Sequence, residues 1–312
     1  MNKFLGFTAV LALLAACDQR PSTDVVDEPV VEDPEDPTEP VITSGRISVG
    51  SLESATMDGD NLVISILLDG TDDPQIYTFD AGSSEGSDYD FYTQQESDIN
   101  RSFTAIAGEN PDGSLLAVVA VDGGQFNRFF GGATIEQSGY SAPESGFYYY
   151  TCEYAGLLNF GGESAGGGDT PDSVAASDAN PVSGSVYLLA DFVDNNVEGV
   201  VYDRTATISG TGVNLGDVVL TVGDISDDGT FSGASELDDN TGIGSYSGAF
   251  DANAAYVAGI IALNGDFLAD ATTGTGDTET DYEYTATGFE QEYGIFVIGQ
   301  CPSGPESCFG GP

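Results

Sequence analysis

Carboxylates are the main side chains of this chain that could do chemistry, since it has 52 aspartates and glutamates and no histidine. Without histidine, neither a Ser-His-Asp nor a Cys-His arrangement can form, so acid–base catalysis would fall to carboxylates alone. A glycosidase needs two of them at a defined separation, and so many acids produce such pairs by chance. Tryptophan, which most often stacks on sugars, is also absent. We therefore predict that the protein is not an enzyme.

Clustered aspartates are the best candidates for a metal site. Asp224, Asp227 and Asp228 lie in one short segment that ends at Gly229, and Ca²⁺ prefers such clustered oxygen ligands. Residues 58–61 form a similar cluster. Neither has the closing glutamate of an EF-hand loop, and Asp-Gly pairs are typical of hairpin turns. The sequence therefore predicts turns and no metal site, with Ca²⁺ binding by the three aspartates as the alternative.

Two aromatic-rich segments, residues 147–150 and 282–284, could form part of a binding site. On a strand, such residues would alternate between the core and the surface, and exposed tyrosines would supply contact area with a polar tip. Tyrosine can also ligate iron or haem. We predict ordinary alternation and no cofactor, with a binding surface and with iron or haem ligation as alternatives.

Three cysteines, Cys152, Cys301 and Cys308, could pair in an oxidising compartment. Cys301 and Cys308 enclose a loop whose proline, serine and glycine residues could bring them together. Cys152, paired with either, would instead tie an earlier strand to the C-terminal segment. The sequence leaves this choice open, and one thiol remains. Three cysteines without histidine do not favour a zinc site.

The fourth cysteine, Cys17, directly follows an apolar run from Phe4 to Ala16. A basic start followed by a short apolar segment is typical of a secretory signal peptide, and the run is too short to span a bilayer. Residues 14–17, Leu-Ala-Ala-Cys, resemble the lipobox of bacterial lipoproteins. The resemblance implies that residues 1–16 are a signal peptide and that Cys17 carries acyl chains, including palmitate. Multiple acyl chains anchor a protein stably in a membrane.

Asp18 bears on which membrane receives the anchor. We expect a lipoprotein of the outer membrane that is exposed on the cell surface. An aspartate at this position resembles the inner-membrane retention signal of enteric bacteria, so the periplasmic face of the inner membrane is the alternative.

Residues 17–43 are rich in proline, glutamate and aspartate. Such a segment buries too little apolar surface to fold, and its like charges repel, so we predict a disordered, semi-extended stalk. The whole chain has a formal net charge of −46, and only 6 of its residues are lysine or arginine. Nucleic acid and anionic lipid headgroups are therefore excluded as partners, because so few cations cannot neutralise phosphates. Self-repulsion of this size also predicts a habitat rich in salt or calcium.

From residue 44 onward, the pattern is that of β-strands throughout. Residues 61–68 and 114–121 are apolar runs followed by Asp-Gly, which supplies the positive φ of tight hairpin turns. The other strands are predicted at residues 75–79, 102–107, 128–135, 147–158, 183–192, 197–203, 217–222, 229–236, 244–250, 257–263 and 294–299. A low-complexity loop, residues 161–180, interrupts the series.

Glycines recur inside these strand patterns. At such positions a glycine marks a bend or a close approach of two backbones, and repeated glycines favour the curvature of a small barrel. The glycines in question are Gly184, Gly199, Gly233, Gly248 and Gly259. The sequence thus predicts a closed barrel, with an open twisted sandwich as the alternative.

The second half of the chain, residues 147–299, resembles the β-barrel domain of transferrin-binding protein B and its lipoprotein relatives. Residues 182–192 and 197–201 are similar to a strand pair of that domain, in which Asp-Phe ends one strand and glycine recurs in the next. Residues 246–250 fit the same meander, and residues 293–299 are similar to its closing strand. In place of the family's usual aromatic-Gly-Pro turn, this chain has Asp-Ala at positions 251 and 252.

The resemblance implies an all-β fold with two parts. A small N-terminal β handle would occupy residues 44–140, and an eight-stranded antiparallel barrel would occupy residues 141–312. None of the family's binding residues can be carried over. The implied function is a surface-exposed lipoprotein that binds a protein or small ligand, with iron or haem acquisition as its role. A structural lipoprotein that acts as a spacer in the cell envelope, without a specific ligand, is the alternative.

Overall fold

The computed structural model describes residues 38–43, 45–67, 74–84, 87–95, 102–122, 129–143, 145–160, 179–238, 240–265, 268, 270–274, 279–282 and 290–301. Every regular element in these ranges is a β-strand, so the all-β fold class is confirmed. No helix that is long and apolar enough to cross a membrane occurs in the ranges given. The predicted signal peptide and Cys17 lie outside them, and the last residues of the predicted stalk form a strand.

The first sheet has nine antiparallel strands in the order β1-β2-β9-β8-β7-β6-β5-β4-β3. They are β1 (Val41–Thr43), β2 (Arg46–Gly50), β3 (Leu52–Asp58), β4 (Asn61–Ile66), β5 (Gln75–Phe79), β6 (Asp90–Gln94), β7 (Phe103–Glu109), β8 (Leu115–Asp122) and β9 (Gly131–Gln137). β2 and β3 follow each other directly in the chain but stand near opposite ends of this order. The sheet therefore curls round on itself.

Gly50 makes the bend between β2 and β3. Its φ is +69°, and a Cβ there would lie 2.4 Å from the carbonyl oxygen of Gly131, so only glycine fits without strain. The next residue, Ser51, donates its N–H to that same carbonyl at 2.8 Å and accepts a bond from the N–H of Leu67 at 2.7 Å. These bonds hold the two ends of the curl together.

The second sheet has eleven strands. They are β10 (Phe147–Phe160), β11 (Asn180–Asp191), β12 (Asn196–Ile208), β13 (Thr211–Asn214), β14 (Val218–Ile225), β15 (Thr230–Leu237), β16 (Gly242–Phe250), β17 (Tyr256–Asn264), β18 (Thr272–Thr273), β19 (Thr280–Asp281) and β20 (Glu290–Gly299). Eight of them follow the order β11-β10-β20-β17-β16-β15-β14-β12, and β12 pairs back to β11. This ring is the predicted eight-stranded barrel, which is confirmed. Its closure leaves no unpaired edge among these eight strands.

Glycines on the barrel strands make room for aromatic rings on the neighbouring strand. Gly248 stands opposite Phe231, and a Cβ at Gly248 would come within 2.1 Å of that ring. Gly259 stands opposite Phe296, where the corresponding distance is 1.9 Å. The ring thus packs flat across the adjacent strand, which is the close approach that the sequence predicted.

Three apolar cores hold the molecule together. One fills the barrel, a second lies inside the curled sheet, and a third joins the curled sheet to the outside of the barrel. β8 is buried on both faces, because Val118 points into the curled sheet and Val119 towards the barrel. This explains why residues 115–121 are continuously apolar instead of alternating.

The outer wall of the barrel therefore has two sides. The covered side consists of β16, β17, β20 and the end of β10, whose outward residues join the third core. The free side consists of β11, β12 and the beginning of β10, from which that core draws no residue among those described.

Candidate functional site

A cleft of about 470 Å³ lies between the β5–β6 connection and the barrel wall. Its lining includes the acidic residues Glu153 and Asp203 and the aromatic residue Phe91. Tyr154 also borders it, but its ring lies in the barrel core. The serines and the threonine of the lining are Ser83, Ser87, Ser183, Ser185 and Thr207. Among the described residues, no lysine or arginine lines it. The cleft therefore offers hydrogen-bond acceptors, hydroxyls and two negative charges to a ligand.

Asp80 orders the loop side of the cleft. Its carboxylate accepts hydrogen bonds from the N–H of Gly82 at 3.0 Å and from the hydroxyl of Ser83 at 2.8 Å. These bonds lower the pKa of Asp80, because they favour its charged form. Ser84, in turn, accepts a bond from the N–H of Phe91 at 2.9 Å. The turn thereby holds Ser83 and Phe91 at the edge of the cleft.

Tyr89 fastens this loop to the barrel. Its hydroxyl donates to the carbonyl of Glu153 on β10 at 2.8 Å and accepts from the N–H of Val297 on β20 at 3.2 Å. The ladder between β10 and β20 starts only at Ala155, apart from one bridge at Tyr150. The hydroxyl of Tyr89 therefore lies between the two strands where they do not bond each other directly. Burial raises the pKa of Tyr89, which keeps the proton needed for donation.

The same loop fixes one of the two carboxylates of the cleft. The N–H of Asp88 donates to Oε2 of Glu153 at 3.0 Å. The other acidic residue, Asp203, lies on β12 of the barrel wall. There the pairing of β12 with β11 shifts register between Ser183 and Ser185. Asp203 has a φ of +52° at this irregularity. A bulge of this kind changes the direction of a side chain and is common next to binding sites.

A buried ionic network lies behind the cleft, inside the barrel. Tyr154 donates its hydroxyl to Oε1 of Glu292 at 2.7 Å, and Oε2 of Glu292 pairs with Nη2 of Arg204 at 2.5 Å. Nη1 of Arg204 donates to the carbonyl of Gly216 at 2.6 Å. Both charged side chains are fully buried. Burial and the charge of Glu292 raise the pKa of Tyr154 well above its ordinary value, so its hydroxyl remains a donor.

Of the predicted calcium residues, Asp224 lies at the end of β14, and Asp227 and Asp228 lie in the hairpin turn between β14 and β15. Oδ1 of Asp228 accepts hydrogen bonds from the hydroxyl of Thr230 at 2.7 Å and from its N–H at 3.1 Å. Asp224 and Asp227 are exposed. Within the described ranges, no group of three or more metal-binding residues is placed to hold an ion. Calcium binding by these aspartates stays the untested alternative to a plain turn.

The aromatic residues 147–150 alternate between the barrel interior and its outer wall. Tyr150 is buried and donates its hydroxyl to the carbonyl of Ala254 at 2.7 Å, and burial raises its pKa. A phenol held in its protonated form in this way is poorly suited to ligating iron. Tyr148 packs against Phe192 with a ring-centroid distance of 5.1 Å. Tyr149 faces outward on the free side.

The cysteines fall into two classes. Cys152 is a free, exposed thiol that donates a hydrogen bond to Asp88 at 3.4 Å. Burial of the sulfur raises its pKa, which disfavours a reactive thiolate. Cys301 is disulfide-bonded. Because Cys308 lies outside the described residues, its pairing with Cys301 stays a prediction.

The cleft itself was missed by the sequence analysis. Its residues come from the β5–β6 connection, from Phe91 on β6 and from three separate barrel strands. None of these segments carries a recognisable motif. The one local signal was the run of serines after Asp80, which is typical of a capped turn and does not point to a ligand.

The chain matches known proteins at the level of solved structures. No family model and no curated protein matches the chain. Among solved structures, a mutant of the vaccine antigen transferrin binding protein B from Haemophilus parasuis Hp5 matches at 13% identity. That match covers 80% of this chain and 42% of the other, with a TM-score of 0.40. Intact Ap-TbpB (N and C lobes) matches at 12% identity, covering 82% and 45%, with a TM-score of 0.42.

This chain therefore spans less than half the length of the solved structures it matches. Both of these solved structures are of transferrin-binding protein B, the protein whose barrel domain residues 147–299 resemble. The closed barrel stands on the strand pairings themselves, and no ligand or binding residue is transferred from these proteins.

Proposed function

We propose that this protein is a lipid-anchored lipoprotein of the cell surface that binds a positively charged ligand in the cleft beside Tyr89. The cleft is the observation that supports this proposal. Its volume of about 470 Å³ falls within the range of ordinary small-ligand sites. Glu153 and Asp203 supply negative charge there, and Phe91 offers a face on which a flat cation could stack.

The surroundings favour a cation as well. Both arginines that the structure describes are engaged in ion pairs, Arg46 with Glu136 at 2.7 Å and Arg204 with Glu292. Within the described part of the chain, the lining of the cleft contributes no basic side chain beside Glu153 and Asp203. Haem is a poor fit, because its propionates would meet these carboxylates. Iron acquisition stays a prediction that the chemistry of the cleft does not favour.

A titration with two small probes tests the ligand class. N-acetyl-arginine amide carries a guanidinium, whereas N-acetyl-citrulline amide has the same shape without the charge. We expect roughly millimolar binding of the first and at least tenfold weaker binding of the second. Amide NMR shifts should be centred on Ser183 and Ser185.

Matched variants separate the cleft from the general acidity of the surface. Asp203→Asn should weaken the binding of N-acetyl-arginine amide several-fold. Asp60→Asn removes one exposed charge from the β3–β4 turn, which contributes no residue to the cleft lining, and should leave the affinity unchanged. Equal losses in the two variants, or equal affinities for the two probes, would count against the proposed cleft.

Surface presentation depends on Cys17. Metabolic labelling with a palmitate analogue should mark the wild-type protein and spare a Cys17→Ser variant. Labelling of both, or of neither, would contradict the lipid anchor.

The spacer function keeps one observation in its favour, since the barrel is filled with its own side chains, such as Leu188 and Phe250. The barrel interior therefore offers no room to a ligand at these positions. Absence of binding by both probes at the cleft would favour the spacer.

A further inference from the structure

A group of outward-facing apolar residues lies on the free side of the barrel, next to the cleft. We call Tyr149, Tyr187, Leu189 and Val200 the outer patch. Their side chains point away from the barrel because their neighbours along each strand fill its interior. Each of the four is partly exposed.

The strand register makes the outer patch continuous. Tyr149 on β10 stands opposite Leu189 on β11, and Tyr187 stands opposite Val200 on β12. At the end of β10, Phe147 extends the patch with 58% of its surface exposed. Single exposed apolar residues are normal on protein surfaces, whereas a contiguous group in register across three strands is typical of an interaction site.

Carboxylates surround the outer patch. Glu153, Asp194, Glu198 and Asp203 are exposed on β10, β12 and the turn between β11 and β12. The only basic residue of these three strands is Arg204, which points into the barrel and pairs with Glu292. A surface with an apolar centre and an acidic rim is complementary to one with an apolar or aromatic centre and a basic rim.

We infer that the outer patch is a docking surface for a second protein whose contact face is basic around an apolar or aromatic anchor. A second copy of this chain does not fit, since its net charge of −46 would oppose like charge across the interface. Tyrosine is one of the three residue types, with tryptophan and arginine, that most often contribute strongly at protein interfaces, and the outer patch contains Tyr149 and Tyr187.

The size of the outer patch predicts the kind of complex. Strands lie about 4.8 Å apart, and side chains on one face of a strand repeat about every 7 Å, so the patch measures about 14 by 20 Å. The area of the patch, about 280 Å², is well below the roughly 800 Å² per partner of a standard stable interface. The complex should therefore be transient and sensitive to salt.

Three synthetic peptides test this inference on the full-length protein in detergent. Lys-Arg-Trp-Arg-Lys carries both the anchor and the charge, Lys-Arg-Gly-Arg-Lys has the charge alone, and Asp-Glu-Trp-Glu-Asp has the anchor with the opposite charge. The first should bind at least about tenfold more tightly than either control by fluorescence anisotropy. Equal binding of the first two would overturn the inference, because it would reduce binding to bulk charge.

Variants locate the binding surface. Tyr187→Ser with Leu189→Ser should weaken binding of the first peptide at least about tenfold, without changing the circular dichroism spectrum. Ile76→Ser, at a residue 62% exposed on β5, removes a comparable apolar surface and should have no effect. If the double variant fails to fold, Val200→Lys replaces it in the test. Its added positive charge should repel the basic peptide and weaken binding.

These variants also separate the outer patch from the cleft. The Tyr187→Ser and Leu189→Ser changes should leave binding of N-acetyl-arginine amide unchanged. The inference fails if Ile76→Ser weakens peptide binding as much as the double variant, or if the peptide protects only amides outside β10–β12.

Discussion

The covered and free sides of the barrel wall share one architecture but carry different outward side chains. On the covered side, Ala258, Ile260 and Ile295 are small or aliphatic and are fully buried against the curled sheet. On the free side, the corresponding positions include Tyr187 and Glu198, which remain at least partly exposed. Closure of the ring satisfies the backbone in both places, so the outward residues are free to specialise. One side joins two sheets, and the other presents an aromatic and acidic surface.

Placing a charged residue on each side tests this difference most strongly. Ile295→Asp would bury an unpaired carboxylate in the third core and should lower the free energy of unfolding by more than about 4 kcal/mol. Leu189→Asp, on the free side, should lower it by less than about 1 kcal/mol. Urea denaturation followed by circular dichroism measures both, and similar losses would show that the free side is also covered.

The ion pair inside the barrel links the two sides, because Arg204 belongs to β12 and Glu292 to β20. Glu292→Ala should cost about 3 kcal/mol, since it leaves the guanidinium buried without its counter-charge. Replacing both partners, Arg204→Met with Glu292→Leu, should restore most of that loss. A double variant as unstable as the single one would mean that the network does more than balance charge.

Tyr89 offers a smaller and more local test. Tyr89→Phe removes the hydroxyl between β10 and β20 and leaves the N–H of Val297 and the carbonyl of Glu153 without that bond. We expect a loss of about 1 to 3 kcal/mol. Hydrogen exchange should become faster at the amide of Val297, while an amide inside the β16–β17 ladder, such as that of Ile261, should not change.

The stability of the curled sheet should depend on pH in the alkaline range. Burial raises the pKa of Tyr92 from its ordinary value of 10.0 to about 12. Because the unfolded state loses this proton first, the stabilising contribution is fully present below pH 10.0 and is lost as the pH rises to about 12. Tyr92→Phe should flatten this part of the stability profile. A profile unchanged by that substitution would assign the effect to other groups.

The sequence predicted the closed barrel because closure depends on local features. Apolar alternation marked β11 and β12, and glycines such as Gly248 stand where rings cross the strands. β8 is buried on both faces, and there a continuous apolar run predicted the strand equally well. These signals lie within single strands or adjacent pairs, so they can be recognised without knowing the fold.

Other features were missed because they depend on distant partners. The final strand was predicted to begin at residue 294, whereas β20 begins at Glu290. Its first residues look too polar for a strand, but Glu290 accepts a bond from the N–H of Leu268 at 2.8 Å and Glu292 pairs with Arg204. A buried charge cannot be told from an exposed one until its partner is known. β2, β3 and β6 were missed as well, because each has a polar, mostly exposed face.

Tyr89 has a consequence for how the protein folds. A single phenol from the first half of the chain completes the backbone hydrogen bonding between two strands of the second half. Residues 141–312 expressed alone would lack this group. The barrel would then lose the hydrogen bonds that the hydroxyl makes to Glu153 on β10 and Val297 on β20. The two halves should accordingly unfold in one cooperative transition, so that a destabilising substitution in either half also lowers the melting temperature of the other.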